Sequence, residues 1–232
     1  QIPQELLRRY RAPEHSMTEP RGDKCDPQIK DVPARSHSES ENAMALAAAA
    51  GLDLDQWQRD TLTDTMSTIL ETWEAPRVGI LTPDPNDRER ITLARELYEL
   101  LLSSNHRIVH TAARSRAVRN AQRNLTQILG EANTLRQAVK RVSFVAGQSR
   151  IEMNNGSVIH YAARAGDTIR ISKVDLLILD DAELLPDNAY RAALPLVAHS
   201  GNPQVWMLGN GAYKQVHKHG QVFNAIKHWS QR

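Results

Sequence analysis

Leu176-Leu177-Ile178-Leu179-Asp180-Asp181-Ala182-Glu183 sets two adjacent carboxylates at the end of a four-residue aliphatic run. A buried parallel strand that ends this way delivers both carboxylates to the carboxyl edge of an α/β sheet, where ligands of that class sit. There Asp180 could hold a Mg²⁺ ion through water, and Asp181 could orient an attacking water. The same residues also suit an apolar strand that runs into a solvated acidic turn. Their partner would be a phosphate cradle, in a strand–turn–helix roughly ninety-five residues upstream of the pair.

That element exists, with other chemistry in its turn. After Val78-Gly79-Ile80-Leu81 come Thr82-Pro83-Asp84-Pro85-Asn86-Asp87-Arg88-Glu89, without glycine or lysine. A cradle needs glycines for close backbone approach and a Lys for the terminal phosphates. Here Asp84 is a good N-cap, Pro85 suits the first helical position, and Asp87 falls three residues after the cap. A helix N-terminus attracts an anion, and these carboxylates supply one from within. Arg88 offsets part of the repulsion towards a bound phosphate.

Two further stretches carry recognition chemistry. In Leu54-Asp55-Gln56-Trp57-Gln58-Arg59, Gln58 could read the edge of adenine and Trp57 cover its face; an amphipathic helix start with a half-buried Trp fits equally. Residues 105–150 hold nine bases (Arg107, Arg114, Arg116, Arg119, Arg123, Arg136, Lys140, Arg141 and Arg150) against one acid, Glu131. Arg116, Arg119 and Arg123 share a helical face, with Arg114 just before them. One-signed charge at this density is the footprint of a phosphate-backbone contact surface. The total of +2 from 29 bases and 27 acids conceals it, because +8 lies in this stretch and −6 in the remainder. Twenty-two of the 29 bases are Arg, whose fork matches phosphate oxygens, although genomic base composition also enriches Arg. His217, His219 and His228 read as surface histidines, and no serine has the setting of a nucleophile.

The elements that must position these groups follow from periodicity. Helices are expected at 41–50, from Asp55 to before Pro76 (Gln58, Leu62, Met66, Ile69 and Trp73 on one face), at 86–103, 115–129 and 187–196. Strands are expected at 78–81, 107–110, 141–146, 174–179 and 204–208, with a hairpin over 150–164 turning at Asn154-Asn155-Gly156. Strands alternating with helices mean βαβ crossovers, hence an α/β fold: a mainly parallel sheet with helices on both faces. Residues 1–42, with five of the eleven prolines, read as an extended N-terminal arm with a short helix possible over Gln4–Tyr10, and 43–232 as one domain. At 41% apolar and 24% charged the composition is that of a globular chain. Cys25 alone forms no internal disulfide and points to a reducing compartment, and neither a membrane span nor a signal-peptide core stands out.

In order and spacing, these pieces resemble the N-terminal ATPase domain of the large terminase subunit of tailed double-stranded DNA bacteriophages. Leu52–Gln58 is similar to that family's adenine motif, Ile108–Ala113 to the strand and turn after the first helix, Ile151–Ile159 to the hairpin before Walker B, Asp175–Leu185 to Walker B, and Pro203–Asn210 to the coupling strand. The resemblance implies a P-loop NTPase-like (RecA/ASCE-type) fold and a degenerate Walker A in which Asp87 and Arg88 replace Gly and Lys. Asp181 stands for the catalytic Glu and Asn210 for a coupling Thr. It further implies ATP and Mg²⁺ as cofactors where the site works: Gln58, Trp57, Asn86, Arg88 and Asn210 on nucleotide, Asp180 on metal, Asp181 and Arg88 in catalysis, and Arg164 or Arg170 acting in a neighbouring subunit. Implied partners are double-stranded DNA gripped without sequence reading through Arg114, Arg116, Arg119 and Arg123, portal or other packaging proteins, and further copies of the chain, with no membrane, in the cytoplasm of an infected bacterium. The family's nuclease domain is not expected within residues 43–232. The expected function is a packaging ATPase domain with impaired or absent hydrolysis; a non-hydrolysing assembly or DNA-binding protein and a helicase-related ATPase are the alternatives.

Overall fold

A computed structural model describes residues 37–82, 84–164, 171, 173–210 and 223. The arm over 1–36, Arg170 and the three late histidines lie outside the described residues. Within the stretch read as arm, His37–Ser38 forms β1 and Ser40–Ala49 forms α1, so the described fold begins ahead of position 43.

Gln56–Thr65 forms α2, opened by a capping box between Asp55 and Gln58. It stops eight residues short of Trp73, and the chain instead makes a small antiparallel sheet of β1, β2 (Ser67–Ile69) and β3 (Thr72–Trp73). The cause is local. The hydroxyls of Thr61, Thr63, Thr65 and Ser67 each donate to the carbonyl four residues back, at 2.7–2.9 Å, which bends and weakens a helix. Thr68 then pairs with His37 of β1, and Ile69, expected inward, is 49% exposed.

From Arg77 the expected alternation holds. The chain runs through β4 (Arg77–Leu81), α3 (Pro85–Leu102), β5 (Arg107–Ala112), α4 (Ser115–Glu131), α5 (Asn133–Ala138), β6 (Val139–Ser143), β7 (Arg150–Met153), β8 (Val158–Ala163), β9 (Leu176–Leu179), α6 (Asp187–Val197) and β10 (Gln204–Gly209). Seven strands form one sheet in the order β4-β10-β9-β5-β8-β7-β6. The first five are parallel, and β7 and β6 extend the sheet antiparallel. β9 and β10 are buried along their whole length, as strands covered on both faces must be.

Strand alternation divides the interior. Val78, Ile80, Ile108, Leu176, Ile178, Trp206 and Leu208 face a core shared with α1 to α5. Val109, Leu177, Leu179, Val205 and Met207 face a second core, closed by α6 and Phe223. Each fully buried Leu or Ile contributes roughly 1.5–3 kcal/mol. Buried polar chains lie within the first core: Glu96 of α3 bonds His110 of β5 at 2.6 Å, and Glu99 bonds both Arg95 and His106. The Arg95 guanidinium packs over the rings of Trp73, Tyr98 and Trp206. Among the described residues no helix is long and apolar enough to cross a membrane.

Candidate functional site

Five parallel strands release their carboxyl ends along one edge, and the turns that follow carry the predicted residues. β10 lies between β4 and β9, which separates the capped turn from the acidic pair by one strand and brings Asn210 between them.

Arg88 is the centre of the crevice. It is only 6% exposed; one guanidinium nitrogen donates to the Thr82 carbonyl at 3.1 Å and to Asn210 Oδ1 at 2.8 Å. Its Nε lies 3.8 Å from Asp180 Oδ1, beyond hydrogen-bond reach, and has no hydrogen-bond partner among the described residues. Thr82 Oγ1 is likewise buried without one. The fold thus gathers Arg88, Asn210 and Asp180 as expected and leaves two unmet polar groups among them.

The helix start is closed as its residues require. Asp84 is the N-cap of α3 and accepts the Asn86 N–H at 2.8 Å, while Pro85 has no N–H to offer. The Asp87 carboxyl is pushed above its ordinary range by burial and by Asp84 and Asp55, against Arg90. Gln58 is buried with both ends of its amide engaged: Asp55 N–H donates to its Oε1 at 2.8 Å, and its Nε2 donates to the Asp87 carbonyl at 3.3 Å. The group expected to read adenine therefore fastens α2 to the first turn of α3. Trp57 packs half-buried against the first core.

On the other side of the crevice, Asp181 adopts a left-handed conformation (φ 50°, ψ 45°), which Asp tolerates better than most residues. Its Oδ2 accepts the Ala113 N–H at 3.2 Å, and its own N–H donates to Asp180 Oδ1. Burial and the Asp180 charge push its carboxyl up. Arg164, expected to serve a neighbouring subunit, lies half-buried against its own acidic turn. It donates to the Asp181 carbonyl at 2.9 Å and to Thr111, and burial depresses its basicity against the pull of Asp181, Asp180 and Glu183.

Glu183 had no assigned role in the sequence reading. Ala182–Leu184 is a 3₁₀ turn that folds its carboxylate under β10, where it accepts the Asn210 N–H at 3.2 Å and fills the space a side chain on Gly209 would need. The signal was present in Asp-Asp-Ala-Glu, but only the turn and the neighbouring strand reveal its target. Arg114, Arg116, Arg119 and Arg123 are exposed on α4, whose Val118, Gln122, Leu125 and Leu129 face inward.

At the start of α3 the Asn86 N–H is already held by Asp84. For Mg²⁺, Asp180 supplies one carboxylate beside Asp181, and no group of three or more ligating His, Cys, Asp or Glu occurs among the described residues. A cavity of about 690 Å³ opens at the opposite edge, between Trp73, Tyr98, His106 and Asn202, and none of the predicted site residues lines it.

The strand order, the capped helix after β4 and the acidic end of β9 define a P-loop NTPase-like α/β fold. More narrowly, the fold is that of the ATPase domain of phage large terminases. The chain superimposes on the HK97 bacteriophage large terminase with a TM-score of 0.66 at 14% identity, over 75% of this chain and 38% of that one. It matches the large terminase ATPase domain of Thermus phage P74-26 with a TM-score of 0.55 at 13% identity, over 72% and 70%. A thermophilic bacteriophage's large terminase, solved in complex with ADP, gives 0.51 at 11% identity over 68% and 39%. This chain thus spans well under half the length of two of these proteins. No known family's sequence profile matches the chain, and no curated protein matches it in sequence.

Proposed function

We propose that the chain is a terminase-like component of a phage DNA-packaging apparatus whose nucleotide turnover is impaired or absent. It would hold duplex DNA by its backbone through Arg114, Arg116, Arg119 and Arg123. The observation that carries the first part is the Asp84 carboxylate on the Asn86 N–H, occupying the place at the α3 N-terminus where a phosphate would bind. The fold likeness supports the packaging context, and the solved ADP complex of one such terminase supports reading the crevice as a nucleotide site in origin. In this reading Arg88 contacts phosphate, Asp180 holds Mg²⁺, Asp181 orients water and Asn210 senses the outcome, where ATP enters at all. Gln58 reaches adenine only by giving up Asp87, and the exposed part of Trp57 would cover the base. Asn86 would offer phosphate an N–H that Asp84 now holds. Arg164 acts on its own acidic turn; a role for Arg170 in a neighbouring copy is retained. Portal or other packaging proteins and further copies of the chain are the proposed partners, in the cytoplasm of the infected host.

Calorimetric titration with Mg-ATP tests this, with an Asp84→Ala/Asp87→Gly/Arg88→Lys variant alongside. The unmodified chain should show no micromolar binding, and the variant should gain it. Micromolar binding with turnover by the unmodified chain would refute the reading.

A further inference from the structure

The basic residues of the 105–150 stretch do not share one surface. Those of α4 lie on the side of the first core. On β7, Ile151 and Met153 turn into that core, as do Ile159 and Tyr161 on β8; Arg150, Glu152, Val158 and His160 therefore face the opposite side. Register carries two rows across the sheet there. One runs Arg107, Val158, Glu152, Arg141, and the next Val109, His160, Arg150, Ser143, with Lys140 at the bulge beside Arg141. The second core contains no side chain from β6, β7 or β8, so α6 leaves this half of the face uncovered among the described residues.

Arg107, Lys140, Arg150 and His160 line one groove of about 420 Å³ there, with Glu152 its single acid among the described residues. Glu152 is paired with Arg150 at 2.6 Å, and its carboxyl is held below the ordinary range first by that bond, with Lys140 and Arg141 adding to it. Burial, then Arg150 and Arg107, hold His160 below its usual basicity. Both groups register a positive potential.

We propose that this sheet face is a second polyanion surface, distinct from α4, whose occupant is the sugar–phosphate backbone of duplex nucleic acid. Three arguments select it. Protein interfaces centre on desolvated aromatic or apolar anchors, and between the rows only Val158 and Ile171 are apolar and accessible. The exposed Phe144 and Val145 lie beyond the end of β6. Single strands need successive stacking rings, and His160 is the one ring among these cations. From Arg107 on β5 to Arg141 on β6 is three strand spacings, roughly 14 Å, close to the ~12 Å width of a major groove bounded by phosphates. The surface lies on the amino half of the sheet and requires nothing of the nucleotide crevice. It shares with the α4 proposal only the class of partner, and since the sheet separates the two, one straight duplex cannot lie on both.

The test is anisotropy of a random-sequence duplex against the full chain between 50 and 200 mM salt. In the Arg116→Glu/Arg119→Glu/Arg123→Glu background, which leaves this face alone to bind, Lys140→Glu/Arg141→Glu should weaken binding tenfold or more and flatten the log–log salt slope by about two. Glu152→Gln should tighten binding severalfold. Arg116→Glu/Arg119→Glu/Arg123→Glu is measured in parallel to report the α4 face separately. Lys140 and Arg141 are exposed, and circular dichroism checks the fold. If Lys140→Glu/Arg141→Glu and Glu152→Gln leave affinity and slope unchanged in that background, or if the α4 variant alone abolishes binding, this surface is refuted. Capture of an acidic peptide with no duplex affinity would refute it in favour of a protein partner.

Discussion

Asp84 does for α3 what a bound phosphate would otherwise do: its carboxylate satisfies an N–H that the helix cannot. Cap and ligand thus compete for one place. Asp84→Ala should cost about 1 kcal/mol in urea unfolding while raising affinity for Mg-ATP or inorganic phosphate. A stability loss with no gain in anion binding would show that the cap is not what closes the site. Arg88 is the complementary case. One nitrogen serves Thr82 and Asn210 together, which a Lys ammonium could also do; what a Lys would lack is the second donor, the Nε that lies 3.8 Å from Asp180. Glu183 completes the set by joining the acidic turn to Asn210.

At the scale of elements, α4 separates its roles by face. Its apolar side closes the first core, and its arginines stand clear of it. Arg116→Glu/Arg119→Glu/Arg123→Glu should therefore leave the unfolding midpoint nearly unchanged, yet, in the Lys140→Glu/Arg141→Glu background, lower duplex affinity by at least tenfold and flatten its salt dependence. Unchanged affinity would remove this face from DNA contact. α2 teaches the opposite lesson. Its apolar spacing was legible as helix through Trp73, but hydroxyls bonded back to its own carbonyls, together with pairing of Thr68 to β1, ended it at Thr65. Periodicity reports which face is apolar; it does not report competition for the backbone.

For the whole molecule, the buried ion pairs between α3 and β5 tie stability to pH. Burial raises the Glu99 carboxyl, but Arg95 and His106 outweigh it and bring it from 4.5 to about 2. That stabilisation is complete above pH ~4.5 and lost as pH falls towards ~2. Burial disfavours charge on His110, yet Glu96 outweighs it, and Glu99 raises His106, so both titrate above 6.5. Their contribution is complete below that value and lost as pH rises through the elevated ones. The urea midpoint should be highest in weak acid, falling on both sides. A flat profile from pH 5 to 9 would refute the histidine part, and Glu96→Gln should remove much of the alkaline fall.

Sequence by itself determined what is local: the order of strands and helices from Arg77 onward apart from the short α5, the acidic end of β9, the cap on α3 and the arginine face of α4. These rest on residue type and on periods of two or 3.6. Tertiary structure decided what depends on strand order and register. β10, last of the described strands, inserts between β4 and β9 and so puts Asn210 on Arg88; Arg164 turns onto its own acidic turn; Glu183 meets Gly209. Strand parity likewise sends one basic stretch to opposite sides of a sheet. The reason is physical: a one-residue shift in register moves a side chain to the other face, and no window of sequence contains the neighbouring strand.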